Sequence, residues 1–532
     1  MKHEKMWETA AQDFIWDRPY TKLFQTFPRA GRSQWFAGGM LNYTKTIFEK
    51  NIEAGNAEKE AIVFYTTPLV KESYTYASLL AKVRALAAYF EAAGIRRASR
   101  VLILTGSRKE QALSVLALMR LGVQFGVLFS RFPPELIAAL IKESGATHVI
   151  ANGKLAGMVS SAKYKNVSVL PFKDVRAQKD IPVPAQSVPA EFPSFLCFSS
   201  GTTGERPKVF LKGTAGYFVG MVSALRASFF ATSKSFYILN VLDFAFGDYP
   251  VIAGLFTPLS RGGKVIFFDF DFRLNRRSVI GAIQREKIET VIGSPAFFEL
   301  PKRARATARI KNIILGGQKI SPAVRDFIRS TFTGARLINA VGSQETGGYL
   351  VGYSRPKRGE SLDLVEPLPG LEYKITHQEI FIKDTWPGLA LPLNEKKRFA
   401  QRWRGRFFRV GDLVKKIGAG LEVIGRSDKL IKHRGRLLSL EYMEQMLETL
   451  PFIRKAKCLM VGSAPRPDIA VFVAVKKNYP QHAPSALEQR IRTLVVSQFG
   501  TYANPDKIIF VQEFPTSSSG KIMEQELRKK YA

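Results

Sequence analysis

The sequence is poor in the residues that build disulfide frameworks and metal clusters. It has two cysteines, Cys197 and Cys458, and five histidines, none at zinc-ligand spacing. Both cysteines lie in apolar surroundings far apart in the chain, which reads as buried thiols in a reducing compartment. Acidic residues are also few, 45 against 79 lysines and arginines, leaving a formal charge of +34. Such a field favours anionic partners: nucleotides, coenzyme A, an acidic carrier protein, nucleic acid or an anionic membrane. The basic residues are scattered in short pairs such as Arg96-Arg97 and Lys302-Arg303 rather than gathered in a tail, so no dedicated nucleic-acid arm is expected. No apolar run reaches the ~18 residues of a transmembrane segment, and the polar, aromatic N-terminus does not read as a signal peptide. A cytoplasmic protein without repeats or low-complexity tracts is expected.

What the chain does have is material for several cores. Its 532 residues, 46% of them hydrophobic, exceed one domain. The first sixty or so residues are aromatic and irregular around Ser33–Asn42. Strand and helix patterns then alternate: a strand at Ala61–Tyr65, helices over Tyr76–Ala93 and Lys109–Leu121 stopped by Gly94 and Gly122, a helix over Pro134–Ser144, a strand at Thr147–Ile150. Residues 151–193, with five prolines, read as a surface crossing. The alternation resumes through a helix near Tyr217–Phe230, strands at Lys264–Phe268 and Ile310–Leu315, a helix over Pro322–Phe332 and a strand at Arg336–Val341. This is the rhythm of parallel sheets covered by helices. Past about residue 365 short strands and turns take over, and after Gly425-Arg426-Ser427-Asp428 about a hundred residues suit a small α+β unit. The expected fold class is α/β: a large N-terminal domain, residues 1–426, of βα sheets plus a distorted β-barrel-like part, and a small mobile α+β C-terminal domain, residues 427–532.

The stretch with the clearest chemistry is Phe195–Val209. A short apolar strand leads into Ser199-Ser200-Gly201-Thr202-Thr203-Gly204, and Glu205-Arg206-Pro207-Lys208 follows. Gly201 and Gly204 let backbone N–H groups turn toward one point. The hydroxyls of Ser199, Ser200, Thr202 and Thr203 can donate to phosphate oxygens, and Lys208 adds a positive charge. No Ser or Thr follows a Gly-Lys pair, so this is not the G-x-x-x-x-G-K-[ST] loop. Taken alone, the stretch reads as a polyphosphate cradle or as a polar surface loop.

Four separated stretches occur in a telling order: Ser199–Lys208, Gly342–Gly348, Val410–Leu413 with Gly425–Gly435, and Pro515–Lys521. With them the sequence resembles the adenylate-forming (AMP-binding) acyl-CoA synthetases over nearly its whole length. Trp35–Asn42, Leu121–Ser144 and Ile382–Ala390 look most like the acetyl- and short- or medium-chain members. The resemblance implies ATP, Mg²⁺ and coenzyme A, with a carboxylic acid as substrate. It implies that Ser199–Gly204 and Lys208 grip the β- and γ-phosphates, that Thr202, Glu345 and Lys521 are catalytic, and that Glu345 holds Mg²⁺. Gly316, Gly317 and Gln318 would lie along the adenine, Gln344 would donate to a phosphate oxygen, and Asp412 would accept both ribose hydroxyls. Arg426 would touch the ribose or α-phosphate, and Lys521 would reach the carboxylate and α-phosphate. Asp428 would be the hinge about which the small domain rotates after adenylation, carrying Lys521 out and Arg434-Gly435 in toward coenzyme A.

The chain departs from that pattern in places. Glu205 is an extra residue in the phosphate loop, Gln344 replaces a threonine, Gln318 a glutamate, Leu437 an arginine (with Arg436 adjacent) and Glu524 a basic residue. Gly342 stands where the acetyl members carry a tryptophan. Losing an indole opens apolar space unless Phe246 or Phe297 refills it, and each further buried CH₂ is worth ~0.8 kcal/mol. The expected acid is therefore longer than acetate, medium-chain or aromatic. Two alternatives stand beside this reading: an acyl-adenylate ligase loading an acidic acyl carrier protein, and a catalytically degenerate adenylate-binding protein.

Overall fold

Uninterrupted runs of apolar residues, buried on both faces, build two parallel sheets. In the first, Ser168–Leu170, His148–Ala151, Arg100–Leu104, Gln124–Val127 and Phe195–Ser199 lie side by side and parallel. Lys208–Lys212 and Leu391–Pro392 then add antiparallel. In the second, Glu60–Tyr65, Lys264–Phe268, Tyr237–Asn240, Thr290–Gly293, Asn312–Gly316 and Arg336–Ser343 are parallel. The two-residue period of a strand decides which core each side chain enters. Ile62 and Phe64 join a core between the sheets, shared with Ile103, Phe125 and Phe195, while Val63 and Tyr65 join a separate core on the far face. The antiparallel strands Gly347–Ser354, Leu364–Pro367, Gly420–Arg426, Phe407–Ile417 and Glu379–Lys383, expected as a barrel-like part, are hydrogen-bonded in that order onto Arg336–Ser343.

This computed structural model describes residues 4–27, 32–67, 69–161, 166–175, 183–199, 207–228, 237–269, 276–298, 310–317, 320, 322–354, 364–427, 430–433, 436–462, 468–476, 479, 483–516 and 522–531. Among the expected site residues, Ser200, Gly201, Thr202, Thr203, Gly204, Gln318, Asp428, Gly435 and Lys521 lie outside them. Among the described residues no helix is long and apolar enough to cross a membrane.

Two stretches differ from expectation, and a third carries no signal in the sequence. The N-terminal residues are not irregular: they form a helix, Glu4–Ala11, and a hairpin of Lys22–Phe27 with Arg32–Ala37. The aromatic density is its docking face, with the rings of Trp7 and Trp35 tilted against each other at 5.2 Å and packed on Gly220 and Gly216, where added side chains would overlap the indoles. The supposed surface crossing holds a helix, Gly153–Ser161, and the edge strand Ser168–Leu170. Its glycines and serines, and a strand of three residues, give too weak a periodic signal. Asp248–Ser260 is helical, with a π-turn at Ile252–Phe256, and shows no amphipathic period because it is buried on all sides.

From residue 438 onward the chain has cores of its own, around Met443, Leu447, Val471 and Ile491 and around Phe472 and Leu527. Ile453–Val461 pairs antiparallel with Asp468–Val475, which runs parallel to Lys507–Phe510.

At the rim of the second sheet a cavity of about 660 Å³ is lined by Tyr65, Lys71, Lys264 and Glu286 among others. Lys264 and Lys71 pair with Glu286 at 2.8 and 2.9 Å, and the Tyr65 hydroxyl donates to it at 2.8 Å. Burial works to raise this carboxyl's pKa, but those three hydrogen bonds outweigh it and hold the pKa at about 2. The folded-state value is depressed, so its contribution is present above the ordinary 4.5 and lost as pH falls toward 2. Between pH 5 and pH 3 the stability gap between wild type and E286Q should shrink by ~1 kcal/mol, after allowance for solvent screening, as read from urea unfolding midpoints.

Candidate active site

The stretches singled out in the sequence follow the carboxyl ends of parallel strands, where open α/β sheets place their ligands. Ser199 ends one strand. Gly316 ends another, with Gly317 following at φ +81°. Gly342 and Ser343 end Arg336–Ser343 and deliver Gln344 and Glu345 into the next turn. Asp412 and Arg426 are register partners on adjacent antiparallel strands.

The turn that carries Glu345 is fastened from every side. Ser343 and Thr346 share a hydroxyl hydrogen bond of 2.9 Å, and the buried Thr346 hydroxyl donates to the Gly347 carbonyl at 3.0 Å. The Trp386 indole donates to the Thr346 carbonyl at 3.0 Å, and the Ala390 amide donates to the Glu345 carbonyl at 2.9 Å. Arg402 reaches the Glu345 carboxylate at 3.3 Å and is itself held by the carbonyls of Arg409 and Val410 at 2.9 and 2.6 Å. Burial pushes the Glu345 pKa up, but Arg402, the residue's own backbone amide, Arg426 and Lys208 together bring it below the ordinary carboxylate value. Three cations from segments far apart in sequence thus converge on one ionised carboxylate.

Asp412 is buried, with the Tyr349 hydroxyl donating to one oxygen and Arg426 to the other at 3.1 Å. Burial and the Asp412 charge keep the Tyr349 phenol protonated. Gly411, which reads in sequence as turn punctuation, lies inside the strand Phe407–Ile417. Its φ is +92°, which the backbone grants cheaply only to glycine, and a Cβ there would press on the Arg426 guanidinium at 3.0 Å.

Gly342 was expected to open an acyl pocket. Here a Cβ on it would lie 2.3 Å from the Gly347 carbonyl oxygen, so the space a side chain would enter is filled by the returning strand. Phe297 packs in the far core against Phe298, at 4.9 Å. The Gln344 amide rests against Gly247, 2.5 Å from where a Cβ would be. Lys208 is the strand partner of Ser199, at the two ends of the stretch expected to hold phosphates. Its neighbours are clamped by Asn394, which accepts from the Val209 amide and donates to the Pro207 carbonyl, both at 2.9 Å. Among the described residues no group of three or more His, Cys, Asp and Glu is placed to hold a metal ion.

Arg402, Tyr349, Trp386 and Asn394 were missed in the sequence. Arg402 looked like part of a solvated basic run, Lys396–Arg406. Tyr349 looked like an ordinary strand residue. The departure at Glu524 has a local partner: Glu524 pairs with Lys457 at 2.8 Å, and Lys457 pairs with Glu444 at 3.1 Å.

Beneath the site lies a second, fully buried ion pair. Lys212 and Asp248 are 3.2 Å apart with side chains 1% and 6% exposed, and Tyr217 donates its hydroxyl to Asp248. The Tyr217 ring in turn supports Gly347, 3.3 Å from where a Cβ would be. K212M strands the Asp248 charge and should cost ~3–5 kcal/mol in denaturant unfolding. K212M/D248N should recover much of that, because the stranded charge is gone; equal losses in both variants would contradict the account.

The AMP-binding enzyme family matches residues 48–388, its C-terminal domain residues 442–521, and the acetyl-coenzyme A synthetase N-terminus residues 2–46. Acetyl-coenzyme A synthetases of Pyrobaculum arsenaticum and Cupriavidus pinatubonensis are 26% and 25% identical, over 99% of this chain and 88% and 89% of theirs. In fold, the acetoacetyl-CoA synthetase of Streptomyces lividans aligns with a TM-score of 0.79 at 16% identity, over 99% of this chain and 88% of that one. A benzoate CoA ligase of Burkholderia xenovorans LB400 aligns at 0.77 and 19% identity, over 92% of this chain and 100% of that one. The motifs in order, the grouping of Lys208, Glu345, Asp412 and Arg426, and a family match across well over half of the chain agree: the chain belongs to the AMP-binding enzyme family, the adenylate-forming group that includes the acyl-CoA synthetases.

Proposed function

We propose that this AMP-binding enzyme is an ATP-dependent acid–thiol ligase that activates a carboxylic acid larger than acetate and passes the acyl group to coenzyme A. The observation that carries the reading is the convergence of Lys208, Arg402 and Arg426 on Glu345, with Asp412 beside Arg426. Attack of a carboxylate on an α-phosphate brings two anions together, and fixed cations in a water-poor site lower that barrier. In this reading Lys208 and the loop Ser199–Gly204 hold the β- and γ-phosphates, and Gln344 donates to a phosphate oxygen. Gly316, Gly317 and Gln318 lie along the adenine, and the two oxygens of Asp412 take the ribose hydroxyls. Glu345 would hold Mg²⁺, with phosphate oxygens and water filling the other positions; a single ionised carboxylate suits that cation. The bound ion would neutralise charge on the phosphates. Arg426 and Lys521 face the α-phosphate, and residues 427–532 rotate about Asp428 to bring Gly435 toward coenzyme A.

The relatives named as acetyl-coenzyme A synthetases favour a small acid. What favours a larger one is only that no indole stands at position 342 to close the site, since the hairpin backbone fills the place a Cβ would take there. Pyrophosphate release over acetate, butanoate, hexanoate, octanoate and benzoate, with and without coenzyme A, tests the reading. Release should depend on the acid, with hexanoate or benzoate ahead of acetate, and thioester should form with free coenzyme A. Acetate alone as substrate would overturn the acid class. Thioester on a phosphopantetheinyl protein but not on coenzyme A would move the acceptor to a carrier. Nucleotide binding with no acid-dependent release would leave a degenerate adenylate-binding protein.

A further inference from the structure

The phenol of Tyr249 is a polar group that the proposed reaction leaves unused. It stands in the first turn of the helix Asp248–Val251, which follows the carboxyl end of Tyr237–Asn240. One ring edge lies 3.9 Å from where a Cβ on Gly316 would be, at the end of the strand assigned to the adenine. Two residues before it, Gly247 touches the amide of Gln344, the neighbour of Glu345. Tyr249 therefore sits between the stretch assigned to the adenine and the one assigned to the phosphates, the two that meet where the acid joins the α-phosphate in the proposed reading.

Its hydroxyl oxygen is closed off from solvent and has no hydrogen-bond partner among the described residues. Burial raises its pKa, so the group is a neutral donor. Other buried phenols of the fold are satisfied: Tyr217 on Asp248, Tyr349 on Asp412, Tyr76 on the carbonyls of Leu259 and Gly263. A buried donor left without a partner costs a factor of roughly 5–150 that phenylalanine would avoid. The cost is recovered if something that binds there accepts the proton.

We propose that Tyr249 is a specificity-determining residue whose hydroxyl donates a hydrogen bond to an oxygen on the acyl chain, so that the enzyme prefers acids carrying a keto, hydroxyl or ether acceptor. This rests on the ligase reading above. A site built to hydrogen-bond a substrate group discriminates strongly against the analogue that lacks it, because its own polar group is then stranded. The test compares hexanoate with 3-, 4- and 5-oxohexanoate in acid-dependent ATP–pyrophosphate exchange, for wild type and Y249F. At least one oxo acid should exceed hexanoate in kcat/KM by ~10-fold or more in wild type. Y249F should cut that preference by a similar factor, leave hexanoate within about twofold, and unfold no earlier than wild type in a thermal melt. An unchanged oxo-to-hexanoate ratio in Y249F, or an equal loss on all four acids, overturns the inference and leaves the ligase reading standing. No acid-dependent exchange in wild type with any acid overturns both.

Discussion

E345Q should lose ATP–pyrophosphate exchange by ~10²–10³ while keeping the wild-type fold. The side chain keeps its length and can still accept from Arg402, and the turn around it does not depend on the carboxylate. Its backbone carbonyl is tied to Ala390, Thr346 to Trp386, and Arg402 to two strand carbonyls. What the amide removes is the negative charge at the meeting point of Arg402, Arg426 and Lys208. Those cations then lack their counter-charge before nucleotide arrives, and the divalent cation that should accompany the phosphates loses its protein anchor. The loss should therefore appear as a raised Mg²⁺ requirement as well as a lower maximal rate, whereas simple misfolding would lower the rate at every Mg²⁺ concentration alike. The depressed pKa of Glu345 sets the pH behaviour. A carboxyl held below its ordinary value stays ionised until the pH falls under that value, so the acidic limb of exchange in wild type should lie below the usual glutamate range. An E345Q enzyme within threefold of wild type at all Mg²⁺ concentrations would remove Glu345 from the machinery.

Much of this site was legible because its chemistry sits at strand ends, where the sequence changes texture abruptly. Ile310–Leu315 gives way to Gly316-Gly317, and Arg336–Val341 to Gly342–Gly348, and these breaks mark both the end of a strand and the start of a stretch proposed to face ligand. Asp412 and Arg426 were legible as separate motif residues, and antiparallel pairing places them opposite each other. What stayed hidden depends on contacts between distant segments. Arg402 is one arginine in a basic run until Glu345 folds against it. Tyr349 and Tyr217 look like apolar filler until their hydroxyls find Asp412 and Asp248. Gly342 shows the opposite error. A missing side chain was read as space for ligand, but backbone of the same hairpin takes that space. Local patterns report what a residue can do, whereas only the pairing of strands reports what it stands next to.

K521A should separate the two half-reactions. Lys521 lies outside the described residues, but the chain on either side of it is fastened. Thr516 and Ile522 form a backbone bridge, and the Met523 amide donates to the Pro515 carbonyl at 2.8 Å. The helix Glu524–Tyr531 then begins with Glu524 paired to Lys457 on the small sheet at 2.8 Å. The described residues on either side, Thr516 and Ile522, thus belong to the body that holds Lys457, and in the proposed reading that body turns between the two half-reactions. If adenylation needs Lys521 at the α-phosphate and thioester formation does not, the alanine variant should lose acid-dependent pyrophosphate exchange by ~10²–10³. It should convert supplied acyl-adenylate and coenzyme A to thioester at close to the wild-type rate. Equal losses in both halves would mean one arrangement serves both steps and no rotation about Asp428 is required. Retention of both would take Lys521 out of the reaction. E524K supplies the mechanical control: a lysine facing Lys457 replaces attraction with repulsion, loosens the start of the helix Glu524–Tyr531 while Lys521 itself is kept, and should lower exchange less than K521A while sparing the thioester step equally.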